Sequence, residues 1–112
     1  MGLNVPAKRA RLFPEMDLQK ASLKARVIGR VQGVGFRYFT ERVADEIGVS
    51  GYVMNCHDGS VEVIAEGERK TLEELLWRLK QGPRGAQVDQ VEETWGSYTG
   101  RFSGFAVRFW GG

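Results

Sequence analysis

The chain has 112 residues, 42% of them hydrophobic and 27% charged, a length and composition for one globular domain that buries its own core without crosslinks. A lone cysteine, Cys56, excludes an internal disulfide and a cysteine-based zinc site and points to a reducing, cytoplasmic setting, and no apolar run reaches a membrane span or forms a signal-peptide core. The net charge of +2 resides in residues 1–22, where Lys8, Arg9, Arg11 and Lys20 outnumber Glu15 and Asp17; taking these four and two from totals of 16 basic and 14 acidic side chains leaves 23–112 neutral, which excludes a general polyanion binder.

Residues 1–22 show no sustained period and contain Pro6 and Pro14, so they read as a flexible, solvated extension to a domain spanning 23–112. Leu23 to Val31 alternates, with Val27 and Val31 on one side and Arg26, Ile28 and Arg30 on the other, and predicts the first strand. Phe36, Phe39, Val43, Ala44 and Ile47 then recur at helical spacing opposite Glu41, Arg42, Asp45 and Glu46, and Gly48 closes that helix. Val49 to Asn55 and Val61 to Ala65 predict two strands joined at Cys56-His57-Asp58-Gly59, a hairpin with Asp-Gly turn chemistry.

Thr71-Leu72-Glu73-Glu74 has the form of a capping box. The stripe Leu72, Leu75, Leu76 and Leu79 predicts a second helix ended by Gly82-Pro83, with Trp77 off the stripe and expected to cover a flank. Val88 to Trp95 is the fourth strand, and the three-residue step from Val88 to Val91 suggests a bulge. A glycine-rich loop, 96–104, precedes a last strand in which Phe105, Val107 and Phe109 alternate. The order βαββαβ plus a short terminal strand predicts a ferredoxin-like α+β sandwich, with both helices on one face of an antiparallel sheet.

Gly29 to Arg37 is the stretch with most chemistry. A strand runs into it, a helix runs out of it, and Gly33 and Gly35 sit at the join. Unpaired N–H groups and the positive end of the helix dipole there suit an anion, the glycines keep the approach clear, and Arg37 adds a forked cation. Read alone, the stretch is either a phosphate site or a tight turn with an exposed arginine. It lacks the third glycine of a dinucleotide fingerprint and the Gly-Lys-Ser/Thr of a P-loop. Asn55, at a strand end before a turn, either holds a water through its amide or caps its own turn. His57 is the only histidine and reads as a solvated turn residue and not a base, and Cys56 reads as a filler of the same turn.

Two longer patterns carry a family resemblance. Gly29-x-Val31-Gln32-Gly33-Val34-x-Phe36-Arg37 resembles the first acylphosphatase signature. Gly51-Tyr52-Val53-Met54-Asn55-x-x-x-Gly59-x-Val61, with Gly67 beyond, resembles the second, and Phe105-x-Val107-Arg108-Phe109 resembles the terminal strand. The likeness covers Leu23 to Trp110. It implies hydrolysis of the carboxyl–phosphate bond of an acyl phosphate to a carboxylate and inorganic phosphate, without metal or cofactor. It further implies a phosphate-binding turn of Gln32, Gly33, Val34, Gly35, Phe36 and Arg37, with Arg37 and Asn55 catalytic: Arg37 on the phosphate and Asn55 on the attacking water. Phosphate, as product, is expected to inhibit competitively, and the enzyme is expected to act as a monomer. In some relatives the terminal carboxylate lies near the arginine. Trp110-Gly111-Gly112 displaces it here, so it receives no role.

The alternative is a non-catalytic module of the same fold that binds phosphate-containing ligands or nucleic acid. A neutral domain without clustered aromatics beside basic residues argues against nucleic acid. A detached relative of the acylphosphatase-like domain of hydrogenase-maturation carbamoyltransferases is a further reading, but those proteins carry downstream zinc-binding cysteine motifs that this chain lacks. No apolar pocket is legible, so the acyl end of a substrate is expected to matter less than its phosphate.

Overall fold

A computed structural model describes residues 19–110, and the side chain of Trp110 is not described. The expected extension therefore lies outside the described residues up to position 18, as do Gly111 and Gly112. The elements are β1 (Lys20–Arg30), α1 (Phe36–Ile47), β2 (Ser50–Asn55), β3 (Val61–Glu68), α2 (Arg69–Gln81), β4 (Gln87–Ser97) and β5 (Phe105–Trp110). The five strands form one sheet in the order β4-β1-β3-β2-β5, and the two helices cover one face, which is the ferredoxin-like arrangement.

The core lies between these layers. Leu23, Ala25 and Val27 of β1, Val53 of β2, and Val61, Val63 and Ala65 of β3 are each fully buried, at every second position as a half-covered strand requires. Phe36, Val43 and Ala44 of α1 and Leu72, Leu75, Leu76 and Leu79 of α2 meet them from the helical layer. Gly48 ends α1 with its N–H on the Ala44 carbonyl, and Gly82 ends α2 with its N–H on that of Arg78. Among the described residues, no helix is long and apolar enough to cross a membrane.

Four expectations need correction. The sheet is mixed, because β5 runs parallel to β2 while the other pairs are antiparallel. β4 finishes opposite the start of β1, so the chain crosses that end of the sheet through 98–104 and re-enters at the far edge in the direction of β2, where Gly51 N–H donates to the Gly104 carbonyl.

The first strand starts at Lys20 rather than Leu23. Lys20, Ala21 and Ser22 pair with Glu68, Gly67 and Glu66, and Ala21 is buried. Both segments carry few apolar side chains, and they become strands through pairing with each other and with β4 and β2.

The capping box is not used. α2 begins two residues before Thr71, directly off β3, and the Arg69 N–H is taken by the Gln19 carbonyl at 2.7 Å. A backbone oxygen of the residue just before β1 thus does the work expected of a threonine side chain. Trp77 covers no flank and is 61% exposed. The bulge expected between Val88 and Val91 is present: the register steps from Ile28↔Gln90 to Gly29↔Val88, leaving Asp89 as the extra residue.

One buried carboxylate secures the crossing loop. Glu66, 2% exposed, accepts hydrogen bonds from the N–H and hydroxyl of Thr99 and the N–H of Gly100 at 2.9–3.1 Å, with the Ser22 hydroxyl also contributing. Burial opposes its charge, but these donors outweigh burial and hold the carboxyl below its ordinary pKa. A carboxylate with a depressed folded pKa stabilises the fold above its unfolded pKa, about 4.3, and that contribution fades as pH falls through the folded value. Glu66→Gln should therefore cost about 1.5–3 kcal/mol at pH 7, and the gap between variant and wild type should narrow below pH 4. Urea unfolding at pH 7 and pH 3 checks this; an equal gap at both would show that the charge is not what holds the loop.

Candidate active site

The end of the sheet away from that loop is where β1, β2 and β5 finish and α1 begins. After β1 the chain turns through Gly33 and Gly35, at φ 76° and 78°, left-handed values that favour glycine. A Cβ at either position would meet nothing within 4 Å, so the backbone conformation, and not crowding, demands glycine. Phe39 N–H makes the first helical bond, to the Gly35 carbonyl at 3.0 Å. The N–H groups of Phe36, Arg37 and Tyr38 precede it at the positive end of the helix dipole. Burial of the Phe36 ring, 2% exposed, anchors this first turn in the core.

A cavity of about 90 Å³ opens there, lined by Val31, Gly33, Gly35, Phe36, Arg37, Tyr38 and Asn55. The fold thus brings together the two residues expected to be catalytic, which lie on different elements. Of the remaining turn residues, Gly33, Gly35 and Phe36 line the cavity, while Val34 packs against the core. Gln32 is placed differently. Its side-chain amide nitrogen donates to the carbonyls of Cys56 and Ser60 at 2.8 and 2.9 Å, so its side chain binds the β2–β3 turn.

The hairpin turn is held by its own groups and by Gln32. Cys56 N–H donates to the Ser60 carbonyl, Gly59 N–H to that of Cys56, and Asp58 accepts from both the N–H and the hydroxyl of Ser60. The Ser60 hydroxyl foremost, with its N–H next, holds the Asp58 carboxyl below its ordinary pKa, and Arg26 pairs with it from β1. Asn55, half-buried, lines the cavity beside this turn. Cys56 is half-buried and His57 exposed, and neither lines the cavity.

Arg37 is positioned by β5. Its guanidinium makes a long hydrogen bond to the Arg108 carbonyl, 3.4 Å, and its Cζ lies 5.2 Å from the centre of the Phe109 ring. Sequence reasoning missed these contacts, the Gln32 side-chain bridge and Tyr38. Phe109 continues the alternation of Phe105 and Val107 and so reads as core, yet the β2–β5 register steps beside Asn55 and Phe109 is left exposed.

The acylphosphatase family model matches residues 23–107, and an acylphosphatase of Thermus thermophilus is 54% identical over 85 residues, 76% of this chain and 96% of that one. The chain belongs to the acylphosphatase family. The acylphosphatase of Caldanaerobacter subterraneus is 44% identical over 88 residues, 79% of this chain and 98% of its own. The crystal structure of the acylphosphatase from Bacillus subtilis matches with a TM-score of 0.76 at 34% identity, covering 79% of this chain and 98% of that one. The chain is accordingly an enzyme that hydrolyses acyl phosphates, with phosphate as a product.

The Gln32 bridge sets how the acylphosphatase glycine turn sits against the turn after Asn55. Gln32→Ala removes two hydrogen bonds and should cost about 1–3 kcal/mol. Gln32→Glu, which sets a carboxylate against two carbonyl oxygens, should be the more damaging in stability and turnover. Thermal unfolding and single-substrate kinetics on both variants decide this; a Glu variant as good as wild type would refute the bridge.

Proposed function

We propose that Arg37 and Asn55 divide the work of acyl phosphate hydrolysis, with the turn of Gln32 to Arg37 as the phosphate cradle. The observation that carries this reading is the single small cavity that Gly33, Gly35, Phe36, Arg37 and Asn55 line together. The phosphoryl group of the substrate sits in it, met by the N–H groups at the start of α1 and by the Arg37 guanidinium. Asn55 holds a water through its amide on the far side of the phosphorus from the leaving carboxylate. The water oxygen bonds to phosphorus as the phosphorus–carboxylate bond breaks, and the bonding pair leaves with the carboxylate. A phosphate oxygen of the substrate takes the water's proton.

This chemistry asks little of the protein beyond placement and charge. A carboxylate leaves readily and needs no general acid, and a phosphoryl transition state needs alignment and neutralisation of its oxygens. The absence of any assigned histidine role is therefore consistent with it. Phosphate, which carries the recognised group, competes with substrate. The enzyme works as a monomer in a reducing cytoplasm. The competing reading as a nucleic-acid module has little support on the open face of the sheet, where Arg26 and Lys24 are paired with Asp58, Glu92 and Glu62.

The two side chains should fail differently. Arg37→Ala should weaken phosphate binding and abolish turnover, and Arg37→Lys should restore little, since an ammonium lacks the fork. Asn55→Ala should lose about 10²–10³ in rate, the scale for one positioned polar group, while phosphate binding largely persists. Phosphate titration by calorimetry beside turnover on the folded variants is the test. Full turnover in Asn55→Ala, or normal phosphate binding in Arg37→Ala, would remove the assignment.

Hydrolysis should also survive chelation. Among the described residues, no three His, Cys, Asp or Glu side chains converge as metal ligands, and the turn supplies the positive charge itself. An assay of benzoyl phosphate hydrolysis in EDTA should match the untreated rate. A loss reversed by a divalent ion would contradict the mechanism.

A further inference from the structure

Two large aromatic side chains stand exposed at the catalytic end. Tyr38 is 57% and Phe109 64% exposed. Tyr38 lines the cavity, and the Phe109 ring lies against the Arg37 guanidinium. Phe109 is presented by an irregularity in the sheet. The β2–β5 register steps from Met54↔Arg108 to Asn55↔Trp110, so Phe109 is the extra residue, beside the strand end that carries Asn55. Bulges of this kind re-aim side chains near active sites. Phe109 also lies beyond residue 107, where the family match ends.

The cavity is small, about 90 Å³, so with the phosphoryl group on the turn the acyl part of the substrate extends to its open side, where Tyr38 is exposed.

We propose that Tyr38 and Phe109 form an acyl subsite that takes apolar, above all aromatic, acyl groups. The inference rests on the phosphoryl group occupying the Gly33–Arg37 turn, and it replaces the expectation from sequence that the acyl end matters little. Bound there, a planar acyl group covers ring surface that otherwise faces water, and it stacks offset or edge-on against the rings. Acetyl is too small to do either.

The test compares benzoyl phosphate with acetyl phosphate in wild type, Tyr38→Ala and Phe109→Ala, with inorganic phosphate as inhibitor. The ratio of kcat/KM for benzoyl over acetyl cancels the cradle common to both substrates. It should fall about three- to ten-fold in each variant, the scale of one aromatic contact, through KM for benzoyl phosphate. The inhibition constant of phosphate should move less than that KM. Because both side chains are exposed, the variants should keep the wild-type circular dichroism. A ratio unchanged in both variants would overturn the subsite. So would a Phe109→Ala variant in which phosphate inhibition and both substrates weaken together, since Phe109 would then act only by holding Arg37. Competitive inhibition of wild type by phosphate keeps the phosphate assignment whatever the ratios do; its absence would remove that assignment and the subsite with it.

Discussion

The Gln32 side-chain amide, shared between the Cys56 and Ser60 carbonyls, is the interaction that holds together the end of the domain where the cavity lies. It joins two turns 24 and 28 residues apart in sequence. One is the glycine turn that opens α1, and the other follows Asn55. Neither is rigid by itself against the other, since each is a surface connection between elements. An amide that donates both protons fixes their separation, and with it the distance between the N–H groups of the first turn and the amide of Asn55. For the proposed mechanism, which is governed by alignment, that distance matters as much as the identity of the groups.

A second support reaches the site from the opposite end. Glu66 holds the crossing loop through Thr99 and Gly100, and the loop delivers β5 to the edge beside β2. β5 then supplies the Arg108 carbonyl and the Phe109 ring to Arg37. Arginine carries much side-chain entropy, and these two weak contacts restrict it. A buried carboxylate at one pole of the domain thus bears on the orientation of a cation at the other through a strand of six residues.

The distribution of polarity suits an anionic substrate. The cavity lies at the N-terminal end of α1 beside Arg37, and Tyr38, which also lines it, is exposed. The sheet face without helices uses its charged side chains on one another, as in the Arg26 pairs with Asp58 and Glu92.

What the sequence determined by itself is local. The apolar stripes of both helices, the glycine turn before Phe36, the Asp-Gly hairpin and the bulge after Val88 depend on residues a few positions apart, and their periodicities are readable in one dimension. The two signatures carried the resemblance to the family for the same reason. The tertiary structure alone decided which strands pair at the domain's far end, where Lys20–Ser22 and Glu66–Glu68 have no alternation to announce them. It alone decided that β5 lies parallel to β2, that Gln19 and not Thr71 meets the start of α2, and that Phe109 is left uncovered against Arg37. These outcomes rest on contacts such as the 71-residue separation of Arg37 and Arg108, which no local pattern encodes because they follow from where the layers meet.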